Sequence, residues 1–178
     1  MRSLESNRLI LNPISKLHIT NEYVSWLNDK SVYEFLETRG NYTKEMLASF
    51  VEEQISHNVY MWGIHIKENN KHIGNIKIDP INITHGYGEY GILIGDKQEW
   101  GKGYAKEASE LVIDYFFKEE LILRKITLGV VAANINAINL YKKIGFVIEG
   151  EYKKHVKYDE KYYDIIRMGI FNPRYQYD

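Results

Sequence analysis

The sequence predicts an α+β (mixed α/β) domain: one central sheet of about six or seven strands, mostly antiparallel with one parallel pair, flanked by about four helices. Three observations predict it. A chain of 178 residues, 44% hydrophobic and 26% charged, is long enough to bury about 70% of its unfolded surface around one core. Segments of helical period alternate with β-branched and aromatic runs in the order strand, helices, three strands, helix, strand, helix, two strands. Residues 88–131 read strand, helix, strand, which implies a right-handed crossover between parallel neighbours within an otherwise antiparallel sheet.

Each element has its own signal. Arg8-Leu9-Ile10-Leu11-Asn12 is the first expected strand. Helical material is expected from about Thr20 to Leu36, where Tyr23, Val24, Leu27, Val32, Phe35 and Leu36 recur at helical spacing. Thr43 can cap a second helix in which Met46, Leu47, Phe50, Val51, Gln54 and Ile55 repeat and Glu45 occupies the first turn, favoured there by the helix dipole. Val59–Lys67 and His72–Asp79 make a hairpin across the polar turn at 68–71, and Gly88–Gly95 is a third strand of this group. After a glycine-containing turn, Tyr104, Ala108, Leu111, Val112 and Tyr115 mark one face of a helix that reaches about Lys118. Lys125–Val131 reads as a buried strand and Ala137–Ile144 as a helix ended by Gly145. Phe146–Tyr158 and Tyr162–Phe171 close as a hairpin. Three prolines and 13 scattered glycines mark no linker or repeat, so residues 1–178 are read as a single domain.

Composition narrows the function. Lys plus Arg is 23 and Asp plus Glu is 24, a net charge of −1, so no global field draws the chain to nucleic acid or an anionic membrane. With no cysteine there is no disulfide, thiolate metal site or Cys nucleophile. The N-terminal residues lack the apolar core of a signal peptide and no run of about 18 apolar residues occurs, so the chain is expected in the cytoplasm. Six histidines show no metal-ligand spacing, so no metal is expected, and no Gly-x-Ser-x-Gly elbow is present.

The segment with chemistry in it runs from Gly88-Glu89-Tyr90-Gly91-Ile92-Leu93-Ile94-Gly95 to Trp100-Gly101-Lys102-Gly103-Tyr104-Ala105-Lys106. A strand feeds a glycine turn and then a helix start. Glycines let successive N–H groups point inward without a Cβ clash, and the helix start adds unpaired N–H groups and about half a positive charge. Such a cradle suits a pyrophosphate. It is not a Walker A loop, because Lys102 precedes Gly103, and not a Rossmann fingerprint, because Lys106 stands where a third small residue is needed. A plain connecting turn is the alternative.

A second segment follows the next strand: Asn134-Ile135-Asn136-Ala137-Ile138-Asn139-Leu140-Tyr141-Lys142-Lys143-Ile144-Gly145-Phe146. Together the two resemble the GCN5-related N-acetyltransferase (GNAT) superfamily, loosely over residues 1–80 and closely over about 86–150. The arrangement is most similar to the bacterial branch with ribosomal-protein N-terminal acetyltransferases and spermidine acetyltransferases. The resemblance implies the GNAT fold, acetyl-CoA as co-substrate and direct acetyl transfer to a primary amine. It places Trp100, Gly101, Lys102, Gly103, Tyr104, Ala105 and Lys106 on the pyrophosphate motif, with Trp100 where Gln or Arg is usual. Leu93, Ile94 and Gly95 match the strand whose backbone pairs with the pantetheine arm. Asn134, Asn139 and Lys143 match positions near the cofactor, although Asn134 can equally cap its helix and Lys143 can be a surface charge.

Tyr141 matches the family's general acid: a phenol of pKa about 10 can protonate a departing thiolate. Glu89 matches a catalytic glutamate of some members and is the candidate base, through water, for an ammonium that must lose its proton; a structural carboxylate is the alternative. The acceptor is expected between the N-terminal helices, with Tyr33, Glu34, Glu37 and Arg39, and the C-terminal hairpin, with Tyr152, His155 and Tyr158. Carboxylates there suit an ammonium, and Arg39 suits a phosphate or carboxylate. Three acceptors stay open: a protein N-terminal α-amine, a nucleotide-linked amino sugar and a polyamine such as spermidine. The mixed charge of residues 30–45 weakens the polyamine. A non-catalytic acyl-CoA-binding module and a protein-interaction domain are the other classes. The oligomeric state is open, a homodimer included.

Overall fold

The computed structural model describes residues 1–176. Its strands are β1 (Leu4–Glu5), β2 (Leu9–Pro13), β3 (Tyr60–Ile66), β4 (His72–Asn82), β5 (Tyr87–Ile94), β6 (Lys125–Val131), β7 (Val147–Tyr158) and β8 (Lys161–Phe171). The helices are α1 (Asn21–Asn28), α2 (Lys30–Tyr33), α3 (Lys44–Ser56), α4 (Tyr104–Lys118) and α5 (Ile135–Ile144), with single 3-10 turns at Lys16–His18 and Lys97–Glu99. Hydrogen bonding orders the sheet β1-β2-β3-β4-β5-β6-β8-β7. β5 and β6 are the parallel pair, joined through α4 as the strand-helix-strand reading required. The sheet has eight strands where six or seven were expected, because the two residues of β1 pair with β2 at Leu4–Leu11 and Glu5–Ile10.

The long helical stretch expected from Thr20 to Leu36 is broken in two. Asp29 is extended (φ −83°, ψ 117°) and its carboxylate accepts from the Ser31 amide, capping α2. Lys97 reaches the same carboxylate at 2.5 Å. The hydrogen bonds from Lys97 and Ser31 hold the Asp29 carboxyl down at about 2. A cap with its own ion-pair partner outweighs helical periodicity here.

Two compact units emerge, one from Met1–Asp79 with Gly91–Leu111, the other from Pro80–Tyr90 with the chain from Val112 onward. In the first, Tyr23, Trp26 and Leu27 of α1, Val32 of α2, Leu47 and Val51 of α3, and Met61 of β3 form one apolar cluster. In the second, Phe116, Ile126, Leu128, Phe146 and Met168 are buried, and Asn172 Nδ2 donates to the carbonyls of Phe117 and Leu123 at 3.0 Å, closing the end of α4. The parallel register of β5 with β6 covers only Tyr87–Glu89 opposite Lys125–Thr127; β5 itself runs on to Ile94.

The first unit also encloses three imidazoles. The rings of His18, His65 and His72 lie 5.0–5.2 Å apart, with Tyr23 and Trp26 edge-on or tilted against His72. Gly63 makes room for them: a Cβ there would sit 2.2 Å from His18 Nε2. Burial lowers all three, most of all His72, which the other two imidazoles push further, to about 4. Unfolded histidine titrates near 6.5, so between that value and 4 the unfolded chain binds more protons and stability falls as the pH drops. For His72 alone the loss is about 3 kcal/mol, complete below pH 4. Denaturant midpoints measured from pH 7 to 4 should fall steadily in the wild type and much less in His72→Gln. A flat wild-type profile would refute the assignment.

Candidate functional site

The turn between β5 and α4 is built on left-handed glycines. Gly101 has φ +75° and Gly103 φ +83°, a region other residues enter at a cost. The first helical hydrogen bond of α4 runs from Glu107 N to Gly103 O at 3.1 Å. Among the described residues nothing accepts from the amides of 101–106, so Gly101, Lys102, Gly103, Tyr104, Ala105 and Lys106 present a run of bare N–H groups at a helix start. A Cβ at Gly101 would meet nothing within 4 Å, so that face of the loop is open.

Residues from outside the motif pin this loop. The Arg8 guanidinium bonds the Glu107 carboxylate at 2.6–2.7 Å, donates to Lys102 O at 3.0 Å and covers the Tyr104 ring at 4.6 Å. Ser6 Oγ donates to the same carboxylate at 2.7 Å. Burial raises the Glu107 carboxyl, but the bonds from Ser6 and Arg8 outweigh it and hold it below its ordinary value. Glu107 is thereby fully engaged and does not compete with a bound anion. Lys102 Nζ pairs with Glu99 at 2.7 Å, and Lys71 ties Glu99 to Asp96. No local spacing reveals Arg8, which lies 99 residues from Glu107.

At the strand end, Gly95 N donates to Ile73 O at 2.9 Å, and a Cβ on Gly95 would lie 2.2 Å from the Trp26 ring. The Gly95 amide is thus used within the protein, while Leu93 lines a cavity of this unit. Trp100, where the motif has Gln or Arg, donates its indole N–H to Ile94 O at 2.8 Å. It links loop and strand and is otherwise exposed.

In the second unit, Asn134 is the N-cap of α5, its Oδ1 accepting from Ala137 N at 3.1 Å. α5 therefore starts at Ile135, two residues before the expected Ala137. Asn139 and Lys143 are exposed on α5, and Gly145 closes the helix at φ +114°. Tyr141 is buried, its ring 5.8 Å from Tyr90 and 5.9 Å from Phe146. Desolvation pushes its phenol up to about 12.

Glu89 is held fork to fork by Arg167 at 2.7 Å on both oxygens, and Thr127 Oγ1 donates to Oε2 at 2.6 Å. Three of the roughly four acceptor positions of the carboxylate are filled, and the remaining one is on Oε1. Arg167 and Thr127 were not anticipated; β5, β6 and β8 bring them together across 78 and 38 residues.

The expected acceptor residues part company. Arg39 Nη1 donates to the carbonyls of Tyr33, Glu34 and Leu36 at 3.3 Å and its guanidinium lies 5.4 Å from the Tyr33 ring, so it closes the end of α2. Glu34 is exposed. Glu37 lines a cavity of ≈340 Å³ within the first unit. Tyr152 and His155 on β7 lie tilted against each other at 5.0 Å, as do Tyr158 and Tyr163 at 5.7 Å, all in the second unit.

No helix among the described residues is long and apolar enough to cross a membrane. Comparison with known proteins agrees with the geometry. The family model of the acetyltransferase (GNAT) domain matches residues 8–147. A spermidine N(1)-acetyltransferase of Escherichia coli (strain K12) is 37% identical over 102 residues, 57% of this chain and 54% of the relative; the match thus spans about half of that relative's length. An uncharacterized N-acetyltransferase of Bacillus subtilis (strain 168), YnaD, is 30% identical over 150 residues, 82% of this chain and 84% of the relative. The crystal structure of a spermidine N-acetyltransferase from Vibrio cholerae in complex with CoA and spermine superposes with a TM-score of 0.84 at 24% identity, covering 94% of this chain and 97% of that one. A glycine-turned strand-to-helix junction, the Asn134–Phe146 segment and a model match over most of the chain coincide: the protein belongs to the GNAT acetyltransferase family.

Proposed function

We propose that the chain is an N-acetyltransferase that uses acetyl-CoA to acetylate a primary amine of a small molecule or peptide directly. The observation that carries this reading is the row of bare amides at 101–106 on left-handed glycines, which fits a diphosphate. Gly101 to Lys106 would hold that diphosphate, and Leu93 and Ile94, beyond the end of the parallel ladder, would pair with the pantetheine amides. Asn139 and Lys143 are the α5 residues offered to the cofactor, while Asn134 acts as a cap. Bound acetyl-CoA supplies an activated thioester.

The chain's own groups handle protons. Burial keeps Tyr141 Oη protonated at every working pH, so the donor is always loaded, and it gives its proton to the sulfur as the C–S bond breaks and the C–N bond forms. The amine must shed a proton to become a nucleophile. We assign that proton to water on Glu89 Oε1, with Arg167 and Thr127 fixing the carboxylate. Glu89→Gln should then lower kcat/KM most at pH 7 and progressively less toward pH 10, where an alkylamine deprotonates unaided. A loss constant across that range would make Glu89 structural.

The names of the relatives favour a polyamine as a second reading of the acceptor. Thiol release from acetyl-CoA, followed with N-terminal peptides, nucleotide-linked amino sugars and polyamines, tests the function. Acetyl-CoA binding without transfer to any of them would leave an acyl-CoA-binding module.

A further inference from the structure

The cavity of ≈340 Å³ in the first unit is of a small-molecule size and is walled by Tyr23, Leu27, Tyr42, Phe50, Met61 and Leu93. Its charged lining consists of one carboxylate, Glu37, and one ammonium, Lys77, which stands 3.6 Å from Asp79. Asn75 also lines it. This residue is 3% exposed, yet its Nδ2 has no hydrogen-bond partner. The orientation of the amide follows from its neighbour: His72 Nε2 lies 2.9 Å from Gly74 O, so that nitrogen carries the proton, and the Asn75 atom 3.2 Å away must be the accepting Oδ1. Nδ2 therefore points its two donors elsewhere. The Tyr23 phenol, which burial pushes up, feels this amide, but no hydrogen bond of good geometry joins them.

A buried N–H pair without an acceptor in an apolar cavity is a request for an oxygen from the occupant. The walls ask for hydrocarbon. A polyamine offers methylene segments to the walls but no oxygen to Nδ2, and each ammonium beyond the first would enter without a counter-charge, since Glu37 is the single carboxylate there.

We infer that this cavity receives the acceptor, and that the acceptor is a compact monoamine with an apolar body and a carbonyl oxygen, the pattern of an apolar α-aminoacyl group, rather than a polyamine. Asn75 Nδ2 donates to the carbonyl and the aromatic and aliphatic walls take the side chain. The inference rests on the proposed acetyltransferase activity and names its substrate class.

Three probes separate the terms: leucinamide, isoamylamine (the same hydrocarbon and amine without the carbonyl) and spermidine. With wild-type protein and acetyl-CoA, kcat/KM is compared per free amine, because an α-amine of pKa about 8 is far more deprotonated at neutral pH than an alkylamine of pKa about 10; so corrected, the value for leucinamide should exceed that for spermidine at least tenfold and that for isoamylamine about tenfold. In Asn75→Leu, which keeps the volume, the advantage of leucinamide over isoamylamine should vanish, whatever the variant does to the two rates together. The wild-type ratios require no variant to fold. Spermidine at or above leucinamide would overturn the inference and leave acetyl transfer standing. Equal rates for leucinamide and isoamylamine in the wild type would remove the carbonyl from it. Transfer to none of the three, with acetyl-CoA bound, would overturn the inference too; activity on other amines in the wider panel would then show that the enzyme reading survives.

Discussion

Tyr141→Phe is expected to lower kcat at least tenfold, about 1.4 kcal/mol of barrier, while leaving the affinity for acetyl-CoA nearly unchanged. The substitution removes one oxygen. The ring remains packed against Tyr90 and Phe146, so the second unit keeps its core. General-acid groups contribute roughly 10²–10⁴ in rate, and tenfold is a lower bound because water can reach a departing thiolate in the variant. With the phenol raised to about 12 by burial, the wild-type rate should show no alkaline decline from this group below about pH 11. Unchanged kcat in Tyr141→Phe, with thiol release as the readout and calorimetry for affinity, would reject the assignment.

Gly103→Val should weaken acetyl-CoA binding at least tenfold. Two costs add. A residue with a Cβ at φ +83° loses about 1–2 kcal/mol, and β-branching makes that region harder still to enter. A valine side chain would also stand among the amides, where the diphosphate is to sit, while its Cβ would be in ordinary contact with Arg8 Nη2 at 3.5 Å. Turnover with saturating acetyl-CoA should suffer far less than affinity, since no proton-handling group is touched. Equal loss of both would mean the loop acts on chemistry as well as on binding, and unchanged affinity would count against the cradle.

What the sequence made legible is local. The glycine turn and the helix start at Tyr104 are each written within a few residues, and they form as expected; Asn134, matched first to the cofactor, takes the alternative role of helix cap. Pairing across the fold was not legible. Arg8 with Glu107, and Glu89 with Arg167, are joined only once the strands align. The same holds for Asp29, whose partner Lys97 helps end α1 where periodicity alone would carry it on. Arg39 looked like an anion receptor because its carbonyl partners at 33, 34 and 36 appear only when α2 stops at Tyr33. Asn75 carries no sequence signal; its place in the cavity follows from β4 and its amide orientation from His72.

The central claim is that backbone amides at 101–106 clasp the diphosphate. Calorimetric titration of the wild type and Gly103→Val with acetyl-CoA and with acetyl-pantetheine, which lacks the diphosphate together with the adenosine 3′-phosphate, tests it most directly, the variant isolating the share that the loop contributes. The account predicts that the wild type binds acetyl-CoA at least tenfold more tightly than acetyl-pantetheine and that Gly103→Val loses that difference. Equal affinity of the wild type for both compounds would contradict it.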